Sequence, residues 1–187
     1  NIWGTTDMSG TPEVILWRQY SKELGVVNNV EVGVQHGDFG VGLTRSMVEG
    51  YVMKDGKPIY NSAYTYSDQT IADVATNRDP RLTIFLKVPG QKNVFKNMSA
   101  SEDHYVIDEP YPTITTRNTE NDYSTGYAIR KGGTFDKANT GNGNCYNAAE
   151  IFRATEALLN YMEAEYMLTN SLSGKVLEYW KDVRKAA

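Results

Sequence analysis

The sequence predicts a mainly α chain with long loops and short β strands, closed by a helical hairpin at its C-terminus. Three observations carry this. Over residues 151–170 the apolar side chains fall at Ala154, Leu158, Tyr161 and Leu168, widened by Phe152, Leu159, Met162 and Tyr166. Arg153, Glu156, Asn160 and Glu163 line the other side, as in an amphipathic helix of about 30 Å. After the break at Ser171-Leu172-Ser173-Gly174, a second stripe runs through Val176, Trp180, Val183 and Ala187. Two helices on so short a link read as an antiparallel hairpin. Finally, residues 91–143 carry no sustained period and read as loops, with Tyr105-Val106-Ile107 and Tyr127-Ala128-Ile129 as short strands at best.

The remaining elements follow in order. Residues 1–12 are rich in Gly, Thr and Ser, hence loop, with Trp3 the one bulky group. Glu13-Val14-Ile15-Leu16-Trp17 suits a buried strand, and the alternation of Val30, Val32 and Val34 suggests another. His36, Asp38 and Phe39 sit among Gly33, Gly37 and Gly40, a loop whose side chains are free to face a ligand. Thr44 caps a helix through Met47, Val48 and Tyr51, which stops near Asp55-Gly56. Tyr60, Tyr64 and Tyr66 stand at even spacings. Ser67 or Asp68 then caps a short helix through Ile71, Val74 and Ala75, which must end before Asp79-Pro80. Residues 82–88 read as a strand stopped by Pro89-Gly90. Asn147 with Glu150 three residues on forms the pattern of a capping box for the long helix.

Composition narrows the function classes. The 187 residues are one domain's worth, 40% hydrophobic and 22% charged, with a net charge of −4 that makes nucleic acid a poor default partner. No run approaches the roughly 18 apolar residues a membrane span needs. Thirteen tyrosines stand against five phenylalanines, a tilt that suits wet, loop-rich or sugar-like surfaces. The lone Cys145 allows no internal disulfide. The sequence opens on Asn1-Ile2-Trp3 with no initiator Met and stops inside an expected helix at Ala186-Ala187, so it reads as a piece of something larger and the missing targeting segment says nothing.

No motif for catalysis stands out: there is no nucleophile elbow, no Cys with a nearby His, no zinc-protease helix and no P-loop. His36 and His104 lack ligand-spaced neighbours and read as surface or structural, and no cofactor or metal is implied. The acidic pairs Glu102-Asp103, Asp108-Glu109 and Glu120/Asp122 have the composition of glycosidase carboxylates but read better as solvated loop charges. Residues 136–144 lack the alternating ligands of a calcium loop and read as flexible. Asn97-Met98-Ser99 matches a glycosylation acceptor, a pattern too common to weigh. Arg78-Asp79-Pro80-Arg81 reads as a structural clamp made of bidentate pairs. Arg153, Glu156, Asn160 and Glu163 are spaced to pair with one another and with Arg184, while Glu165 needs a partner if buried.

The chain resembles the SusD/RagB family on an ordered set of residues. These are Ile151-Phe152-Arg153, Glu156, Leu158-Leu159-Asn160-Tyr161 and Glu163-Ala164, a second helix ending Val183-Arg184-Lys185, and the upstream Asn77-Arg78-Asp79-Pro80-Arg81-Leu82. Glu13-Val14-Ile15-Leu16, the segment from Gly42-Leu43-Thr44 to Tyr51 with Asp55-Gly56-Lys57, and Tyr127 with Arg130-Lys131 add to it in family order. Lys181 and Ala186 depart from the family's usual Asn and second Arg.

The resemblance implies a single SusD-like domain over 1–187, the C-terminal region of a longer protein, with the hairpin of tetratricopeptide type. It also implies a non-catalytic, surface-exposed lipoprotein of a Gram-negative outer membrane, anchored by a lipid outside this chain. Such a protein captures oligosaccharide for a SusC-like TonB-dependent transporter in starch or glycan utilisation. Ligand contacts in the family come from loops, which by residue type and placement selects Trp3, His36, Asp38 and Phe39, then Tyr60 and Tyr64, as carbohydrate-binding candidates. A peptide- or glycopeptide-capturing member, a polysaccharide hydrolase using the acidic doublets, and a purely structural scaffold are the alternatives.

Overall fold

The structure is a computed structural model that describes residues 4–36, 41–91, 125–134, 136–139 and 141–186. Its elements are β1 (Val14–Arg18), α1 (Val30–His36), α2 (Arg45–Gly50), α3 (Ile71–Ala75), α4 (Leu82–Phe85), a 3-10 turn (Lys137–Asn139), β2 (Ala149–Arg153), α5 (Ala154–Thr169) and α6 (Gly174–Ala186). They form two compact units. Tyr20–Asn147 makes most of one, and Thr6–Gln19 with Ala148–Ala187 makes most of the other.

In the discontinuous unit β1 pairs antiparallel with β2, placing Val14 opposite Arg153 and Trp17 opposite Glu150. The register shifts on either side of Leu16 break the inside–outside alternation, so Ile15 and Leu16 are exposed rather than buried as the sequence suggests. The long helix also starts later than its periodicity predicts, because residues 149–153 are strand. No capping box forms at Asn147. Glu13 takes over that work: its backbone oxygen accepts the Ala154 N–H at 2.8 Å, and its Oε1 accepts the Thr155 hydroxyl at 2.7 Å. A carboxylate there also complements the helix dipole. Arg153 pairs with Glu150 at 2.8 Å and Glu13 at 3.4 Å; among the described residues no ion pair joins Glu156 or Glu163 to Arg153 or to Arg184.

Asn170 ends α5 in the left-handed conformation, φ 50, with its N–H on the Tyr166 carbonyl. The Tyr161 and Tyr179 rings then meet edge to face at 5.8 Å. Tyr161 lies more than two turns before the end of α5 and Tyr179 more than one turn into α6, so the contact requires the chain to double back. Met162 and Val176 are buried, whereas Leu159, Tyr161, Tyr166 and Leu168 from the expected apolar arc are exposed.

In the other unit a core of Val48, Ile71, Val74, Leu82, Leu86 and Tyr127 is assembled from short elements. Thr44 caps α2 as its position predicts, its Oγ1 accepting the Met47 N–H at 3.2 Å. The cap of α3 is Thr70 rather than Ser67 or Asp68. Two expected strands are helical instead. At α1, Asn28 Oδ1 accepts the Val30 N–H at 3.1 Å, a side-chain turn that opens a helix despite the alternating valines. At α4, Asp79 Oδ1 accepts the Arg81 N–H, and the Leu82, Thr83 and Ile84 N–H groups bond three residues back. Pro80 thus begins a helical turn, the position its fixed φ favours. Only Leu86 returns to a β bridge, with Ile129, and Lys87 N–H donates to Ala128.

A polar layer completes this core. Buried Glu31 accepts the Thr134 N–H at 2.6 Å and the Asn147 amide at 2.7 Å. Asn139 donates to Asn147 Oδ1 and accepts the Tyr146 N–H at 2.6 Å, so the segment expected to be flexible is tied down at its buried asparagine. Lys87 is buried in this unit; desolvation pushes its pKa down to about 7, with the Glu31 carboxylate pulling the other way.

The sign of the linkage follows. Between about 7 and the ordinary 10.5 the unfolded chain binds the Lys87 proton and the folded chain does not. Stability from this group therefore rises with pH across that window, by at most about 1.4 kcal/mol per unit, and is flat below it. Thermal melts from pH 6 to 10 are expected to show this slope in the native sequence and its loss in Lys87→Met.

Candidate functional site

The frame of the candidate site is Arg78. Asn77 takes a left-handed backbone, φ 54, and its carbonyl accepts the Lys54 N–H at 2.8 Å while the Asp79 N–H donates to Val52 at 3.0 Å. This pairing aims the buried Arg78 guanidinium into the core. Nη2 donates to the Val48 and Tyr51 carbonyls at 2.5 and 2.8 Å, and Nη1 to the Val74 carbonyl at 3.4 Å. The carbonyls that α2 and α3 leave open at their ends thus share one cation, which also suits the negative ends of both helices. The Tyr66 ring centroid lies 5.2 Å from the guanidinium, and burial pushes the Tyr66 phenol up to about 12.

Two surface features are built on this frame. One is the loop that carries Tyr60 and Tyr64. Gly56, at φ 77, lets the chain turn. Asp55 then collects the loop: Oδ1 accepts the Lys57 N–H at 3.1 Å, and Oδ2 accepts the Ser62 hydroxyl at 2.9 Å and the Ala63 N–H at 3.0 Å. Those bonds, the Ala63 N–H foremost, hold the Asp55 carboxyl below its usual range. Tyr60 is 88% exposed and Tyr64 38%. A tied loop showing aromatic rings to solvent has lost little freedom still to be lost on binding.

The other is a recess of about 430 Å3 lined by Met47, Gly50, Tyr51, Asp79, Arg81 and Phe85. The Tyr51 and Phe85 rings are tilted by 49° with centroids 6.1 Å apart. Arg81 Nε lies 3.0 Å from both Asp79 oxygens and Nη2 lies 2.5 Å from Oδ2, a fork that holds the Asp79 carboxyl well below its ordinary value. The expected clamp is therefore two devices. Arg81 pairs with Asp79, and Arg78 grips carbonyls.

Of the residues selected from sequence, Tyr60 and Tyr64 share one tied loop. Trp3, Asp38 and Phe39 lie outside the described residues, as do His104, Tyr105-Val106-Ile107, Asn97-Met98-Ser99 and the acidic pairs of 102–122. His36 is the last residue of α1, not a loop residue, and its side chain is outside the described part. The recess was not among the sequence candidates; its one signal was the Asn77-Arg78-Asp79-Pro80-Arg81 motif. Among the described residues no group of three or more His, Cys, Asp or Glu side chains is placed to hold a metal ion.

Exposed tyrosines on a tied loop and an oriented arginine beside a recess are features a binding surface can use. The comparison with protein families agrees: the SusD family model matches residues 12–187, and the chain belongs to that family. Its members are, in general, nutrient-binding, non-catalytic surface proteins associated with the outer membrane and working with transporters. Comparison with curated proteins and with solved structures returns no match. No helix among the described residues is long and apolar enough to cross a membrane.

Because Arg78 serves carbonyls of both α2 and α3, Arg78→Leu is expected to destabilise the chain by about 3 kcal/mol or more, the cost of buried acceptors left without a donor. A urea titration of the two proteins measures it.

Proposed function

We propose that this chain is part of a glycan-capturing lipoprotein of the Gram-negative outer membrane, which binds oligosaccharide at the cell surface and passes it to a SusC-like TonB-dependent transporter. Family membership supports the class. The single observation that carries the ligand is the Tyr60/Tyr64 loop, where aromatic rings stand in solvent on a backbone tied by Asp55. Sugars present apolar ring faces and many hydroxyls, and their sites combine aromatic platforms with short polar groups. Trp3, His36, Asp38 and Phe39 join the proposed contacts on residue type. The protein binds without turning its ligand over, and the α5–α6 pair is assigned to a tetratricopeptide-type scaffold.

Isothermal titration of the full-length protein against a panel of neutral and acidic oligosaccharides, with peptides alongside, tests this. Binding of at least one sugar, weakened about tenfold in Tyr60→Ala/Tyr64→Ala, is the expected result. Capture of peptides and no sugar would sink it.

A further inference from the structure

We propose that the recess beside Arg81 is a subsite for an acidic sugar residue, with the ring against Tyr51 and Phe85 and the anionic group on the Arg81 guanidinium. This rests on the glycan reading above and names the ligand chemistry one part of the surface selects.

The two arginines of one motif have opposite fates. Arg78 is buried and committed to carbonyls. Arg81 is 42% exposed, whereas its partner Asp79 is only 10% exposed. The Asp79 carboxylate is covered and already accepts the Arg81 backbone N–H, Nε and Nη2. The charge the recess shows to solvent is therefore the arginine's. The fork on Asp79 fixes the guanidinium plane, and among the described residues the Nη1 edge carries no hydrogen bond. An arginine oriented from behind by a carboxylate is prepared for an acceptor in front.

Local charge and shape agree. The Lys131 ammonium lies 4.7 Å from the Phe85 ring centroid. The tilted Tyr51 and Phe85 rings offer an apolar wall to the C–H face of a pyranose. A volume of about 430 Å3 lies within the roughly 300–1,000 Å3 of small-ligand pockets. Gly50 keeps one side open: a Cβ added there meets nothing within 4 Å. A uronic-acid carboxylate and a sulfate ester supply the same anionic acceptors, so the experiment separates them.

The full-length protein is titrated calorimetrically with a galacturonic-acid trimer, its methyl ester and a sulfated galactose trimer. The acid trimer is expected to bind roughly tenfold tighter than the ester, the difference one charge-assisted hydrogen bond makes. Arg81→Gln abolishes that preference. Gly50→Leu, which adds bulk at the recess lining without backbone strain, is expected to weaken the acid trimer to the level of the ester and keeps the test open should Arg81→Gln not fold. Tyr60→Ala/Tyr64→Ala lowers both affinities and leaves their ratio intact. Tighter binding of the sulfated trimer than of the ester, lost in Arg81→Gln, supports the same subsite with sulfate as its anion. Equal binding of all three trimers, or a preference that survives Arg81→Gln and Gly50→Leu, overturns the subsite and leaves the glycan reading standing. No binding of any of these or of the neutral panel overturns both.

Discussion

One guanidinium sets the terms for the larger unit. The α2 and α3 helices are six and five residues long, far below the length at which a helix holds itself in water. Their C-terminal carbonyls would be left facing the core, and Arg78 satisfies those of Val48, Tyr51 and Val74 together. Burying a cation costs several kcal/mol, which is why desolvation lowers the Arg78 pKa. Charge-assisted bonds to carbonyls and the Tyr66 face offset that cost, and in exchange two marginal helices acquire one fixed arrangement.

The same residue decides what reaches the surface. With Arg78 turned inward, the chain direction at Asp79 and Pro80 is set, and α4 starts there. Arg81 is then carried to the rim, and Phe85, one turn on, comes beside Tyr51 at the end of α2. The recess is a by-product of a structural clamp. Elsewhere in the unit Glu31, Asn139 and Asn147 use the same economy, with side-chain amides and one carboxylate pairing backbone groups where no sheet or long helix does so.

What could be read in the sequence was what local chemistry decides. The cap at Thr44 and the break near residues 171–174 were legible because each acts within a few residues, whereas α2 ends at Gly50, before the Asp55-Gly56 turn expected to stop it. The valines at 30, 32 and 34 misled because period-two patterning is outvoted by a buried Glu31 and by the turn at Asn28. Asp79-Pro80 was legible as a boundary, but it opens a helix where a strand was expected. Tyr60 and Tyr64 stand out in the sequence by residue type and loop placement, and the structure puts both on one loop. The recess does not stand out there, since it joins residues 47–51 to 79–85 through contacts that no spacing rule encodes.

Glu13 accepts the first N–H of α5 and the hydroxyl of Thr155, a bond spanning 142 residues of chain. The smaller unit is thus stitched from two distant segments, with the larger unit spliced between them. Its strand pair and the start of its long helix must wait for synthesis to reach both segments. Closing so long a loop carries an entropic cost that α5 cannot recover from a cap of its own. The larger unit, drawn almost wholly from one continuous stretch, is expected to condense first, and β1 waits as an unpaired edge until β2 arrives.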